Sequence, residues 1–157
     1  MKAASITELK RELANLNPKD LLETFIRVAK YKKENKELLS YLLFDADDQL
    51  AYIQNIKDEM DLQFTDIKKY NTYNATKVLR KALRMVNKYI KFSANKQTEV
   101  ELLIYYCNKV KDSGINIYRH AALLNLYKRQ IEKIEKAISH LHEDLQYDFQ
   151  QRMKELD

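Results

Sequence analysis

Residues 77–91 read KVLRKALRMVNKYIK, and this stretch decides which class of fold the chain can adopt. At 100° per residue, its apolar side chains gather on one side of a helix and its Lys and Arg side chains on the other. The apolar side consists of Val78, Leu79, Ala82, Leu83, Val86, Tyr89 and Ile90. The pattern therefore predicts an amphipathic α-helix whose apolar side is buried in a core.

The charged side of this helix forms the basic face, which we define as Lys77, Lys81, Arg84, Lys88 and Lys91. These residues lie within about 40° of one line and span about 21 Å of helix. Residues 68–96 contain nine Lys or Arg and no Asp or Glu, so the segment carries a charge of +9. Like charges four residues apart repel one another. The basic face therefore indicates a polyanion or another protein as a partner, with a solvated surface as the alternative.

The composition of the whole chain also favours helices. Its 157 residues are 45% hydrophobic and 32% charged, which is typical of a folded domain, and they include one Gly and one Pro. So few turn residues argue against hairpins, barrels and sandwiches. The motif Val28-Ala29-Lys30-Tyr31 recurs as Val86-Asn87-Lys88-Tyr89. We therefore expect one all-α domain over residues 1–157, either a helical array of the HEAT or armadillo type or an irregular bundle.

Capping signals place about seven helices along the chain. Ser5 to Glu8 has the spacing of a capping box, and Asn17 followed by Pro18 is typical of a helix start. Gly114 can adopt the left-handed conformation that ends many helices. The predicted helices cover about 6–16, 18–33, 38–44, 45–70, a segment that ends at Ser93, 97–112, and one long helix from about 118 to the end.

This long last helix carries an apolar seam. Its residues from Leu124 to Leu145 repeat with spacings of three and four, as in a coiled coil. A straight helix of about 38 residues is roughly 57 Å long, whereas a compact domain of this size is roughly 39 Å across. We therefore expect residues 146–157 to protrude and to support a homodimer, unless the seam is buried within the chain. The residues assigned to self-association are Leu145, Phe149, Met153 and Leu156.

No arrangement of residues predicts catalysis, a metal or a cofactor. His140 and His142 are about 200° apart on a helix and cannot bind one ion. Asp45, Asp47 and Asp48 resemble the opening of a calcium loop, but Leu50 occupies the position where such a loop requires Gly. We therefore expect no catalytic site, no metal site and no cofactor. The chain is predicted not to be an enzyme, and no small-molecule substrate is inferred.

The single cysteine and the hydropathy of the chain bear on its location. Cys107 has no second cysteine to pair with, which favours a reducing compartment. Residues 1–8 lack the apolar core of a secretion signal, and no stretch approaches the roughly 18 apolar residues that cross a bilayer. We expect a cytoplasmic protein that has no membrane partner.

The first 44 residues resemble the start of a family of small uncharacterised bacterial all-helical proteins, a domain of unknown function. The resemblance rests on Leu9-Lys10-Arg11-Glu12-Leu13, on Pro18-Lys19-Asp20-Leu21-Leu22 and on Asn35-Lys36-Glu37-Leu38-Leu39. It covers less than a third of the chain. It implies a helical fold and no activity, because none is assigned to that family.

Together these features predict a binding protein. We expect a non-enzymatic protein-interaction or scaffolding module whose partner is a protein, either another one or a second copy of this chain. The alternative is a nucleic-acid-binding protein that uses the basic face of residues 77–91. Residues 45–66 hold seven acids and one Lys, so an acidic surface of another copy could also pair with the basic face.

Overall fold

The structure is a computed structural model that describes all of residues 1–157, and it confirms the all-α class. It contains eight α-helices and no β-strand. The helices are α1 (Ile6–Ala14), α2 (Pro18–Tyr31), α3 (Lys33–Ser40), α4 (Gln49–Phe64), α5 (Thr72–Ser93), α6 (Lys96–Asp112), α7 (Ala121–Ile138) and α8 (Glu143–Met153).

The chain forms two compact units. The N-terminal unit is residues 1–44 and contains α1, α2 and α3, and the C-terminal unit is residues 45–157 and contains α4 to α8. The prediction of a single domain over residues 1–157 stays a prediction, because two compact units of one chain can belong to one domain.

The N-terminal unit begins with the two caps that the sequence predicts. The Ser5 hydroxyl and the Glu8 carboxylate form a reciprocal capping box at α1. At α2, the Asn17 side chain accepts a hydrogen bond from the backbone N–H of Asp20 at 2.9 Å. The hydrogen bonds to Ser5 lower the pKa of Glu8 from its ordinary value. These caps fix where α1 and α2 start.

The boundary between α2 and α3 differs from the prediction. Residues 34–37 lie between the predicted helices 18–33 and 38–44, but in the structure they belong to α3. The break falls at Lys32 instead, where the backbone is extended with φ −140° and ψ 148°. The amide of Asn35 donates to the carbonyl of Val28 at 2.9 Å and so bridges α2 and α3. Residues 41–45 continue α3 as one turn of π-helix.

Helix α6 is the centre of the C-terminal unit. None of residues 98–110 is fully exposed, and eight residues of the helix are buried. They are Thr98, Val100, Leu102, Leu103, Ile104, Tyr106, Cys107 and Val110. A helix whose buried residues lie around most of its circumference is stable only when other elements pack on several of its sides. The other helices of the unit must therefore surround it.

Helices α4, α5, α7 and α8 all pack against α6. The Tyr106 hydroxyl donates to the backbone carbonyl of Leu79 on α5 at 2.9 Å. The ring of Tyr106 also meets Phe64 on α4 edge to face, with 6.4 Å between the ring centres. Burial raises the pKa of the Cys107 thiol to about 12 and keeps this side chain protonated in the core. The unit is a bundle around one buried helix.

Helix α4 is shorter than predicted at both ends. Asp48 caps it by accepting from the backbone N–H of Ala51 at 3.0 Å, so the helix starts at Gln49 instead of near residue 45. The helix ends at Phe64 instead of near Tyr70, and residues 67–69 form a separate turn of 3-10 helix. That turn brings Ile67 into the core, where it is buried.

The single long helix predicted from about residue 118 is wrong. The chain turns at residues 139–142, and His142 takes an extended conformation that caps α8. The turn directs α8 back onto α6 and α7. Phe149 and Leu156 are then only 5% and 3% exposed, so their burial offsets the loss of helical hydrogen bonds at the turn.

An ion-pair cluster joins three helices of this unit. Glu101 on α6 accepts two hydrogen bonds from the guanidinium of Arg152 on α8, at 2.6 and 3.2 Å. Its Oε1 also accepts from Lys57 on α4. Burial alone would raise the pKa of Glu101, but the hydrogen bonds from Arg152 and Lys57 outweigh it and lower this pKa from its ordinary value. The cluster therefore stabilises the folded state when Glu101 is ionised.

We expect Glu101→Gln to lower the free energy of unfolding by about 2 kcal/mol at pH 7, because two cations lose a charged acceptor. The wild-type advantage is present in full well above pH 4.5, the ordinary pKa of Glu, and is lost as the pH falls through the lower pKa of the folded state. Urea unfolding followed by circular dichroism at several pH values measures both effects. Glu132→Gln, an exposed change on α7, is the control. A wild-type advantage that stays constant down to pH 2 would contradict the assignment.

Candidate binding surfaces

The basic face lies on α5, whose ends are set by local chemistry. The side chain of Asn71 accepts from the backbone N–H of Asn74 at 2.8 Å and starts the helix. Ala94 ends it in the left-handed conformation, with φ 47° and its N–H bonded to the Ile90 carbonyl. All five residues of the basic face fall between these ends, so one continuous helix carries them.

Packing of α5 fixes which way the basic face points. Its buried residues are Ala75, Leu79, Ala82 and Val86, which lie on one side and pack within the C-terminal unit. Side chains on the opposite side of a helix are held away from such a core. Lys77, Lys81, Arg84 and Lys91 are accordingly exposed, and Lys88 is half-buried. The structure thus brings the five residues together as the sequence predicts.

Most of this charge is not neutralised within the chain. Lys77, Lys81, Arg84 and Lys91 lie beside no carboxylate of their own chain. The ammonium group of Lys77 lies 4.4 Å from the centre of the Tyr73 ring. The ammonium group of Lys88 lies 4.8 Å from the Tyr89 ring. The basic face therefore presents a row of cations to solvent.

The acids of the neighbouring α4 are partly used within the chain. Asp61 accepts from the Tyr105 hydroxyl at 2.7 Å and pairs with Lys109. Burial would raise the pKa of Asp61, but hydrogen bonds from Lys109 and Tyr105 lower it overall. Desolvation, followed by the contact with Asp61, raises the pKa of Tyr105 to about 12. These contacts leave fewer α4 acids to pair with the basic face of another copy.

The residues assigned to self-association do not form an exposed surface. Phe149 and Leu156 are buried, and Leu145 and Met153 are half-buried. The Tyr127 hydroxyl donates to the backbone carbonyl of Leu156 at 3.0 Å and holds this end against α7. Residues 146–157 thus pack within the C-terminal unit, which corrects the expectation of a protruding end. The apolar seam is used inside the chain.

The N-terminal unit has an exposed apolar surface that the sequence did not reveal. No residue of α1, α2 or α3 is buried. On α2, Leu22 is 62% exposed and Val28 is 52% exposed. We define the apolar faces as the exposed large hydrophobic side chains of this unit from α1 onward, namely Ile6, Leu9, Leu16, Leu22, Phe25, Ile26, Val28, Tyr31, Leu38, Leu42, Leu43 and Phe44. Monomeric proteins rarely expose so many large apolar side chains in so short a segment.

The two histidines near the end of α7 have local structural partners. Nδ1 of His140 lies 2.8 Å from the backbone carbonyl of Lys136. Nδ1 of His142 accepts from the backbone N–H of Asp144 at 3.4 Å, as the cap of α8. No cluster of three or more His, Cys, Asp or Glu side chains is arranged to hold a metal ion.

None of the eight helices combines the length and hydropathy that crossing a membrane requires.

Comparison with models of protein families, with curated proteins and with solved structures finds no significant match to this chain. The resemblance of the first 44 residues to a bacterial all-helical family therefore stays a prediction. The basic face and the apolar faces are the two surfaces of the chain that are suited to binding a macromolecule.

Proposed function

We propose that this chain is a non-enzymatic protein-interaction module, and that its N-terminal unit binds protein through the apolar faces. The observation that carries the proposal is the absence of any buried residue in α1, α2 and α3, although all three helices are amphipathic. The lone buried cysteine, which forms no disulfide, supports a reducing compartment such as the cytoplasm as the place of action.

The stability of short helices explains why these faces need a partner. The three helices contain 9, 14 and 8 residues. Helices shorter than about 12–15 residues are marginal in water and depend on packing of their apolar sides. Fully burying one Leu or Phe side chain contributes about 1.5–3 kcal/mol. Covering several side chains of the apolar faces would therefore stabilise both the unit and its complex.

A shallow groove between α2 and α3 gives these faces a shape. Its lining is almost entirely apolar and includes Phe25, Val28, Leu38 and Leu42, and its volume is about 120 Å³. The hydrogen bond from Asn35 to Val28 keeps the two helices together at this place. A groove of this size accepts one or two apolar side chains. An amphipathic helix, which offers apolar side chains every three or four residues, is the partner that fits.

We assign the apolar faces to a second copy of this chain. Their exposure to water is unfavourable, and a second copy is always present in the same place at the same time. Helix α2 is itself amphipathic and its apolar side is exposed, so the α2 of a second copy is a helix of the kind that the groove accepts. In a two-fold dimer both copies contribute the same surface to the interface, so a single self-complementary surface is sufficient for dimerisation.

We expect the full chain to have the mass of a dimer in analytical ultracentrifugation and to dissociate over a hundredfold dilution. The double variant Leu22→Glu/Ile26→Lys should be monomeric at all these concentrations, because it places charges on the exposed side of α2. Its new Glu and Lys are four residues apart and favour the helix. Leu62→Gln, which changes an exposed apolar residue of α4, should leave the dimer intact.

A wild-type chain that is monomeric at every concentration would contradict self-association. Dimerisation that Leu62→Gln and Leu22→Glu/Ile26→Lys weaken equally would show that the apolar faces are not the interface. Circular dichroism of each variant should retain the helical signal of the wild type.

The second candidate function is binding of nucleic acid by the basic face. Four of its five cations are exposed and have no carboxylate beside them, which is the specific observation in favour. Lys and Arg side chains that contact phosphates release counterions, and this release drives binding. Tyr70 and Tyr73 are exposed at the start of α5, where unpaired bases can stack on them.

If the basic face binds duplex DNA through four or five phosphates, the affinity should fall about a hundredfold or more between 50 and 200 mM salt. Lys77→Glu/Lys81→Glu should abolish this binding in a gel-shift or fluorescence anisotropy assay. Lys10→Glu/Lys19→Glu removes the same charge from the N-terminal unit and should retain most of it. Equal losses in the two double variants would indicate an effect of net charge only, and the absence of binding to both duplex and single-stranded probes at 50 mM salt would remove this candidate.

A further inference from the structure

A groove between α5 and α7 is separate from the apolar faces and has a different chemistry. Its volume is about 570 Å³, within the range of small-molecule sites. Arg80, Arg84 and Asn87 line it from α5, and Asn125, Arg129 and Gln130 line it from α7. The other residues that line it are apolar, namely Leu83, Ala122 and Leu126. We refer to it as the arginine groove.

The charge of the arginine groove is positive and is not neutralised within the chain. Arg80, Arg84 and Arg129 are exposed, and no carboxylate is among the residues that line the groove. A fourth cation lies at the edge, where the ammonium group of Lys133 is 3.4 Å from the amide oxygen of Asn87. Cations placed together repel one another unless an anion lies between them. The forked guanidinium group is suited to phosphate, which it can bind with two parallel hydrogen bonds.

Gln130 adds a second feature that is independent of the charge. Its side chain is 5% exposed, and its Nε2 donates to the backbone carbonyl of Leu126 at 3.0 Å. Its Oε1 is buried and has no donor. Exchanging the two amide atoms would place an oxygen against the Leu126 carbonyl, so the orientation is fixed. A buried acceptor without a donor costs free energy. Because Gln130 lines the groove, a rotation of its side chain that brings Oε1 to a hydroxyl or amine donor of a bound molecule would relieve that cost.

We propose that the arginine groove binds a small phosphorylated molecule that carries hydroxyl groups close to its phosphate. The phosphate lies among Arg80, Arg84 and Arg129, and a hydroxyl group donates to Gln130. The amides of Asn87 and Asn125 offer further donors and acceptors to the same ligand. This ligand class explains both the three unneutralised arginines and the unpartnered amide oxygen, whereas a simple anion explains only the arginines. The site is independent of the function proposed for the N-terminal unit.

Isothermal titration calorimetry of the full chain in low salt tests the proposal with three probes, which are inorganic phosphate, ribose 5-phosphate and ribose. Ribose 5-phosphate should bind with one site per chain and at least about tenfold more tightly than inorganic phosphate, because only it brings both a phosphate and hydroxyl donors. Ribose alone should show no binding. Equal affinities for ribose 5-phosphate and inorganic phosphate would overturn the role given to Gln130.

Two matched variants separate the groove from general electrostatics. Arg129→Gln should weaken ribose 5-phosphate at least about tenfold, whereas Lys91→Gln, which removes one charge from α5 outside the groove, should change it less than about twofold. Both side chains are exposed, so both variants should fold. Gln130→Leu should reduce the affinity for ribose 5-phosphate to that for phosphate, and it should not lower the thermal stability because it removes an unpartnered acceptor.

Several outcomes would overturn the proposal. One is equal weakening by Arg129→Gln and Lys91→Gln, and another is no heat of binding with ribose 5-phosphate. A third is that an oligonucleotide binds in the same buffer, that both variants weaken its binding equally, and that ribose 5-phosphate does not bind in its presence. That result would assign these arginines to the backbone of a nucleic acid.

Discussion

Helix α6 is buried over most of its circumference, and the rest of the C-terminal unit is arranged to meet that constraint. Four helices must surround it, since eight of its residues are buried. The one carboxylate that it carries near its middle, Glu101, accepts hydrogen bonds from Arg152 on α8 and Lys57 on α4, and these favour its ionised form. With the inner sides of these helices committed to α6, only their outer sides remain to bind anything. The basic face and the arginine groove both lie on such outer sides.

Local signals in the sequence predicted much of the fold. The caps at Ser5 and Asn17 and the left-handed Gly114, with φ 80°, act through groups that are neighbours in the chain. The turn between α7 and α8 could not be predicted in this way, because residues 139–142 contain neither Gly nor Pro and the apolar spacing continues across them. Only the packing of Phe149 and Leu156 on other helices makes that turn favourable.

The same distinction separates the candidate sites. The basic face was predicted because all its residues lie on one helix, so spacing alone determines that they share a side. The arginine groove needs Arg129, which lies on a different helix from Arg84 and meets it only through tertiary packing. The apolar faces have the same periodicity as helices with a buried side. A periodic pattern shows that one side of a helix is apolar, but it carries no information on what covers that side.

These features describe a chain in which a packed bundle carries charge, while a unit with almost no core exposes the apolar surface that we propose a second copy covers. Hydrogen exchange of the full chain at native pH, followed by mass spectrometry of overlapping peptides, tests this division most directly. Amides of residues 102–110 should exchange only through global unfolding, with the free energy found by urea, and amides of α1 to α3 should exchange far faster in dilute protein than in concentrated protein. Exchange in α6 as fast as in α2, or protection in α2 that does not change with concentration, would contradict the account.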